Sequence, residues 1–133
     1  MSNAAPDPTL DVVCLCADWC GTCRDYEAVF SALQKGLPQH RYHWIDIEDE
    51  SALVGDVDVE TFPTLLLACA GQVLFAGPVL PRLGDAQRLI EVQAAAVAHG
   101  GGAPDLAAAG LPHDQIEAFR ALARQLNDRL ALG

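Results

Sequence analysis

Four of the chain's five cysteines fall within the ten residues CLCADWCGTC, Cys14 to Cys23, and the last two are spaced Cys-x-x-Cys. No other feature restricts the chain as strongly, because so tight a cluster can be a metal knot, a disulfide staple or a redox centre, each with its own local geometry. Cys14 and Cys16 lie two apart in an apolar run that reads as a strand, which points both to one face. Cys20 and Cys23 would straddle the first turn of the helix that follows. A structural zinc site takes four ligands, and its second pair normally arrives from a distant knuckle or from spaced histidines. No such pair arrives here, which leaves a compact Cys-x-Cys-x3-Cys-x2-Cys cluster for zinc or iron–sulfur as the remaining metal alternative. A Cys20/Cys23 staple closes too small a loop to restrain the unfolded chain much.

The pattern around the cluster alternates strand and helix. Leu10 to Ala17 is short and apolar, a buried strand. From Cys20 the period turns helical through Tyr26, Val29, Phe30 and Leu33, and Gly36 and Pro38 end it. Arg41 to Glu48 reads as a second strand, with Tyr42 and Trp44 on one core face, parallel to the first because a helix separates them. The acidic ESALVGDVDVE is a short helix or turn, and the acidic run Asp46 to Glu50 that leads into it reads as a solvated strand end rather than a cation site. Thr64 to Cys69 and Gln72 to Ala76 form a hairpin about Ala70-Gly71. Leu83, Gln87, Ile90, Ala94 and Val97 mark one face of a helix from about Arg82 to Ala98. The order βαβαββα predicts an α/β three-layer sandwich on a mixed four-stranded sheet. Residues 1–9 read as a flexible start, with Ser2-Asn3-Ala4 partly an expression scar, residues 10–98 as the domain and residues 99–111 as a Gly/Ala-rich linker. Residues 112–133 form an appended amphipathic helix with a stripe of Ile116, Phe119, Leu122, Ala123, Leu126 and Leu130. That stripe either docks on its own domain or engages a partner or second copy.

Composition removes several functions. The 133 residues suit one domain, and 51% apolar residues can build a core without structural disulfides. Eight Lys and Arg against eighteen Asp and Glu leave a net charge of −10, which repels nucleic acid and anionic membrane surfaces. No apolar run is long enough to span a bilayer, and VVCLCA lacks the basic leader of a signal peptide. An odd, clustered cysteine count points to a reducing, cytoplasmic setting. His40, His43, His99 and His113 lack ligand spacing, so no metal and no cofactor are expected; Cys69, in an apolar strand, reads as an inert buried thiol.

Redox chemistry has a direct physical case. A cysteine at a helix N-terminus faces unsatisfied N–H groups and the positive end of the macrodipole, which favours thiolate over thiol. Cys20 is therefore the expected nucleophile. Cys23, one turn inside, is placed to attack the mixed disulfide that Cys20 forms and to release the product. Gly21 would allow a tight turn and close approach of a partner backbone.

These residues resemble a known family. Ala17-Asp18-Trp19-Cys20-Gly21-Thr22-Cys23 is similar to the Trp-Cys-Gly-Pro-Cys active site of thioredoxins, Thr61-Phe62-Pro63-Thr64 resembles their cis-proline loop, and Gly77 also fits. The resemblance spans about Leu10 to Ala98. It implies a thioredoxin fold in which a cis Pro63 sits against the Cys-x-x-Cys and the backbone before it pairs with substrate, with Trp19, Gly21, Thr22, Phe62 and Pro63 forming the substrate surface. It also implies a thiol:disulfide oxidoreductase acting on protein disulfides and recharged by a reductase. The alternative is a thioredoxin-fold binding, assembly or redox-sensor module that engages a partner through the C-terminal helix. Four departures stand out. Family members carry an extra strand and helix in front, so one sheet edge here is expected to be bare. Thr22 replaces a proline, Phe62 is bulkier than the usual residue, and Cys14 and Trp44 stand where a buried acid and its lysine are expected.

Overall fold

The computed structural model describes residues 9–17, 20–59, 63–100 and 111–132, with side chains to residue 128. Its elements run β1 (Asp11–Cys16), α1 (Gly21–Gly36), β2 (Arg41–Asp46), α2 (Ser51–Val54), β3 (Thr64–Cys69), β4 (Gln72–Pro78), α3 (Leu83–Ala98) and α4 (His113–Leu132). The expected order is present. β2 stops two residues short of the expected Glu48, while β4 runs two past Ala76, where Leu65 pairs with Gly77 and Thr64 with Pro78. In α3 the fully buried positions are Ala86 and Ile90, and Gln87 is only half-buried.

The strands lie in the order β2-β1-β3-β4. β1 pairs parallel with β2, Cys14 opposite Trp44, and antiparallel with β3, Leu15 opposite Thr64. Among the described residues β2 is paired on one side only, in keeping with the bare edge expected.

Strand alternation divides the core into two layers. Val12, Cys14, Leu65 and Leu67 face α1 and α3 with Tyr26, Phe30, Leu33 and Ile90. Val13, Leu15, Leu66 and Ala68 face α2 and α4. The β3–β4 register slips between Leu67 and Ala68, so Leu74 and its neighbour Phe75 both serve the first layer although they are consecutive. Phe30 meets Tyr42 and Trp44 edge to face, each at 5.6 Å between ring centroids, and the Tyr42 hydroxyl donates to the Leu37 carbonyl at 2.7 Å, closing the end of α1.

The second layer needs α4. A four-residue α2 cannot cover a four-stranded sheet, and Ile116, Phe119, Leu122, Ala123 and Leu126 of α4 are buried against it. Docking in cis therefore occupies the stripe that a partner could otherwise have used. Residues 101–110, most of the expected linker, lie outside the described residues.

Candidate active site

Cys16 is the last residue of β1, and its even register position turns its side chain toward α1. The Cys20 N–H donates to the Ala17 carbonyl at 3.0 Å. Cys20 is the N-cap of α1, extended at φ −87° and ψ 121°, and its carbonyl accepts the first helical bond from Arg24 N–H at 3.2 Å. Its thiol makes no capping bond and is half-exposed. Cys23 is the third helical residue and is 1% exposed, held in the layer beneath the sheet with Tyr26.

The sequence paired Cys23 with Cys20. In the structure Cys23 is bonded to Cys16, across 5.7 Å between Cα atoms, and Cys20 carries a free thiol. The reason is directional: a strand residue aimed at α1 and a helix residue aimed at β1 meet inside the core, at a Cα separation typical of a disulfide. Both sulfurs belong to residues only 1% exposed. Cys14 completes the group, its Sγ 3.7 Å from Cys16 Sγ, and desolvation pushes its thiol up to about 12.

The remaining predicted site residues divide. Pro63 is fully buried, and because Thr64 opposes Leu15 it lies at the end of the sheet where Cys16 sits. Gly21 and Thr22 are exposed beside Cys20. Gly21 is helical and not in a turn, and among the described residues a Cβ there would meet nothing within 4 Å. Trp19 and Phe62 lie outside the described residues, and with Phe62 goes the peptide bond expected to be cis.

Two groups escaped the sequence reading. The Tyr26 hydroxyl is buried without a hydrogen-bond partner among the described residues; desolvation pushes its phenol upward, with Cys14 and Asp85 adding to it. The signal was its spacing, three residues after Cys23 on the same inward face. At the far end of β1, Asp11 is 2% exposed and accepts from Arg41 Nε at 2.8 Å and Nη2 at 3.0 Å, with His43 Nε2 at 3.2 Å. Parallel pairing of Asp11 with Arg41 creates that cluster, which no sequence spacing announces. Cys69, expected to be an inert buried thiol, is half-buried; desolvation raises its thiol, Asp11 adds to this and Arg41 opposes it.

Among the described residues no group of three or more His, Cys, Asp or Glu is arranged to hold a metal ion, and no helix is long and apolar enough to cross a membrane. A cleft of about 410 Å³ between the β3–β4 turn and α4, lined by Gln72, Arg120 and Arg124, lies at the other end of the sheet from Cys16, Cys20 and Cys23. Thiol exchange needs an accessible sulfur, and the half-exposed Cys20 meets that need.

Comparison with known proteins bears on the family and the fold. The sequence model of the Thioredoxin family matches residues 5–78. Thioredoxin H1 of Arabidopsis thaliana is 30% identical over 74 residues, 56% of this chain and 65% of its own length, so the chain spans a little under two thirds of that relative. The thioredoxin of Fasciola hepatica superposes with a TM-score of 0.59 at 22% identity, over 65% of this chain and 83% of that one. A mutant thioredoxin from Halobacterium salinarum gives 0.57 at 26% identity, over 69% and 80%. With a matched segment that runs from before β1 to the end of β4 and a fold that superposes on solved thioredoxins, the chain belongs to the thioredoxin family.

Proposed function

We propose that the protein is a thiol:disulfide oxidoreductase that exchanges disulfides with protein substrates through Cys20 and Cys23. The observation that carries this reading is the placement of Cys20, a half-exposed thiol at the N-cap of α1, with Cys23 one turn inside. Cys20 thiolate attacks a substrate disulfide, forming a mixed disulfide and expelling one substrate thiolate. Cys23 thiolate then attacks Cys20 Sγ, expelling the second and leaving Cys20–Cys23 oxidised. A reductase returns two electrons to the pair. Trp19, Gly21, Thr22, Phe62 and Pro63 form the surface that receives the substrate segment, and a reducing compartment such as the cytoplasm suits the free thiols. Reduction of insulin by dithiothreitol, followed by turbidity, should be accelerated by the protein, and Cys23→Ser should accumulate mixed disulfides on Cys20. Absence of both acceleration and adduct would refute the reading.

A sensor module is the second reading, favoured by the Cys16–Cys23 bond, which leaves Cys20 without its resolving thiol.

A further inference from the structure

We propose that Cys16 is a third redox cysteine of this site, which takes Cys23 from Cys20 by internal thiol–disulfide exchange and stores the disulfide in the core. The proposal rests on the reading of Cys20 and Cys23 as an exchanging pair. Cys23 is the shared member: it lies three positions along α1 from Cys20, and its Cα is 5.7 Å from that of Cys16, to which it is bonded. Cys16 ends β1, Cys20 caps α1 and Cys23 is its third residue, so all three stand where these two elements meet.

The step balances without an added reagent. Cys16 thiolate attacks Cys23 Sγ in the Cys20–Cys23 disulfide; the Cys16–Cys23 bond forms, the Cys20–Cys23 bond breaks, and the electron pair leaves on Cys20 Sγ. The proton given up by Cys16 is regained at Cys20 when the latter is protonated. No net oxidation occurs. Burial sets the direction: Cys16 and Cys23 are each 1% exposed among apolar side chains, where a disulfide is better accommodated than a thiolate. Cys20 sits instead at the helix N-terminus, where the departing anion meets unsatisfied N–H groups.

The exchange changes what the site does. With Cys23 committed to Cys16, Cys20 can still attack a disulfide but nothing within the pair releases the adduct, so the protein becomes a one-thiol catcher until an external thiol opens the buried bond. Cys14, 3.7 Å from Cys16 at the sulfurs, is a contact and not a member, because neighbours two apart on one strand lie at the outer limit of disulfide spacing.

Disulfide mapping tests this. The full chain is reduced, reoxidised with glutathione disulfide, quenched in acid, alkylated and cut before aspartate, which separates Asp11–Ala17 from Asp18–Arg24. Cys16–Cys23 links these two peptides, whereas Cys20–Cys23 leaves a loop within the second. The linked pair is expected to predominate, and iodoacetamide applied before unfolding should label Cys20. Cys16→Ser, or Cys16→Ala if the serine variant folds poorly, should give the loop and protect Cys20. Predominance of the loop in the unmodified chain overturns the proposal and leaves the oxidoreductase reading standing. Failure of that reading registers separately, as no insulin reduction and no adduct on Cys23→Ser.

Discussion

Cys14 Sγ lies 3.7 Å from Cys16 Sγ, so the thiol that stands where thioredoxins are expected to carry a buried acid touches the disulfide directly. Its burial holds it protonated far above neutral pH, about 12, and a group so far from the working pH is a poor proton carrier.

Resolution by Cys23 should accordingly be slow near pH 7 and quicken toward alkaline pH as Cys23 itself ionises. Cys14→Asp should lower stability by about 2 kcal/mol, the cost of an unpaired buried polar group. The same change should raise turnover at pH 7 by roughly tenfold, a modest share of what a positioned acid–base group supplies. Insulin-reduction rates from pH 6 to 9 check both halves. A folded but no faster variant, with a flat wild-type profile, means that another group carries the proton.

Stability should fall on the alkaline side. Cys14 is raised from 9.0 to about 12 and Tyr42 from 10.0 to about 12, both by desolvation. These groups are neutral when protonated, so above their ordinary values the unfolded chain loses protons that the folded chain keeps. Their contribution is complete below about pH 9 and is lost as pH climbs toward 12. Urea midpoints of the oxidised protein should be level from pH 7 to 8 and decline above 9, by up to about 1.4 kcal/mol per pH unit for Cys14. Cys14→Ala should flatten that decline.

Phe119 is 3% exposed and packs α4 onto the second layer with Leu122, which is 1% exposed. Phe119→Ala should cost about 3–5 kcal/mol. Removing residues 111–133 uncovers that face of the sheet and should yield an aggregating chain. Size-exclusion chromatography and urea unfolding measure both; an unchanged, monomeric truncation product would show that α4 contributes nothing to the core.

Ala70 has φ 52° and Gly71 φ 82° in the β3–β4 turn, a pair of left-handed positions that suits a two-residue hairpin. Alanine pays for its Cβ there, so Ala70→Gly should stabilise by roughly 0.5–1 kcal/mol. Gly71→Ala should destabilise because the backbone is left-handed there; the new Cβ itself would make only ordinary contact, 3.5 Å from Asn127 of α4. Thermal melts of the two variants should shift in opposite directions.

Local chemistry made much of this protein readable in order of sequence. Strand and helix periods place β1, α1, β3 and α3 within a few residues, because apolar spacing reports directly which face is buried. The Cys-x-x-Cys announces a thiol at the mouth of a helix, since N-cap geometry depends on adjacent residues alone. The same local logic put Cys14 and Cys16 on one face of β1. Tertiary structure decided which partner each group meets. Cys23 bonds Cys16 and not Cys20 because β1 and α1 pack with those two side chains facing, a contact that no spacing along the chain encodes. Asp11 meets Arg41 only through parallel pairing of β1 with β2. The α4 stripe was legible as apolar, yet its place over Val13, Leu15 and Leu66 follows from the sheet face that α1 and α3 leave uncovered. Amphipathicity states that a face must be buried, and only the assembled layers determine against what.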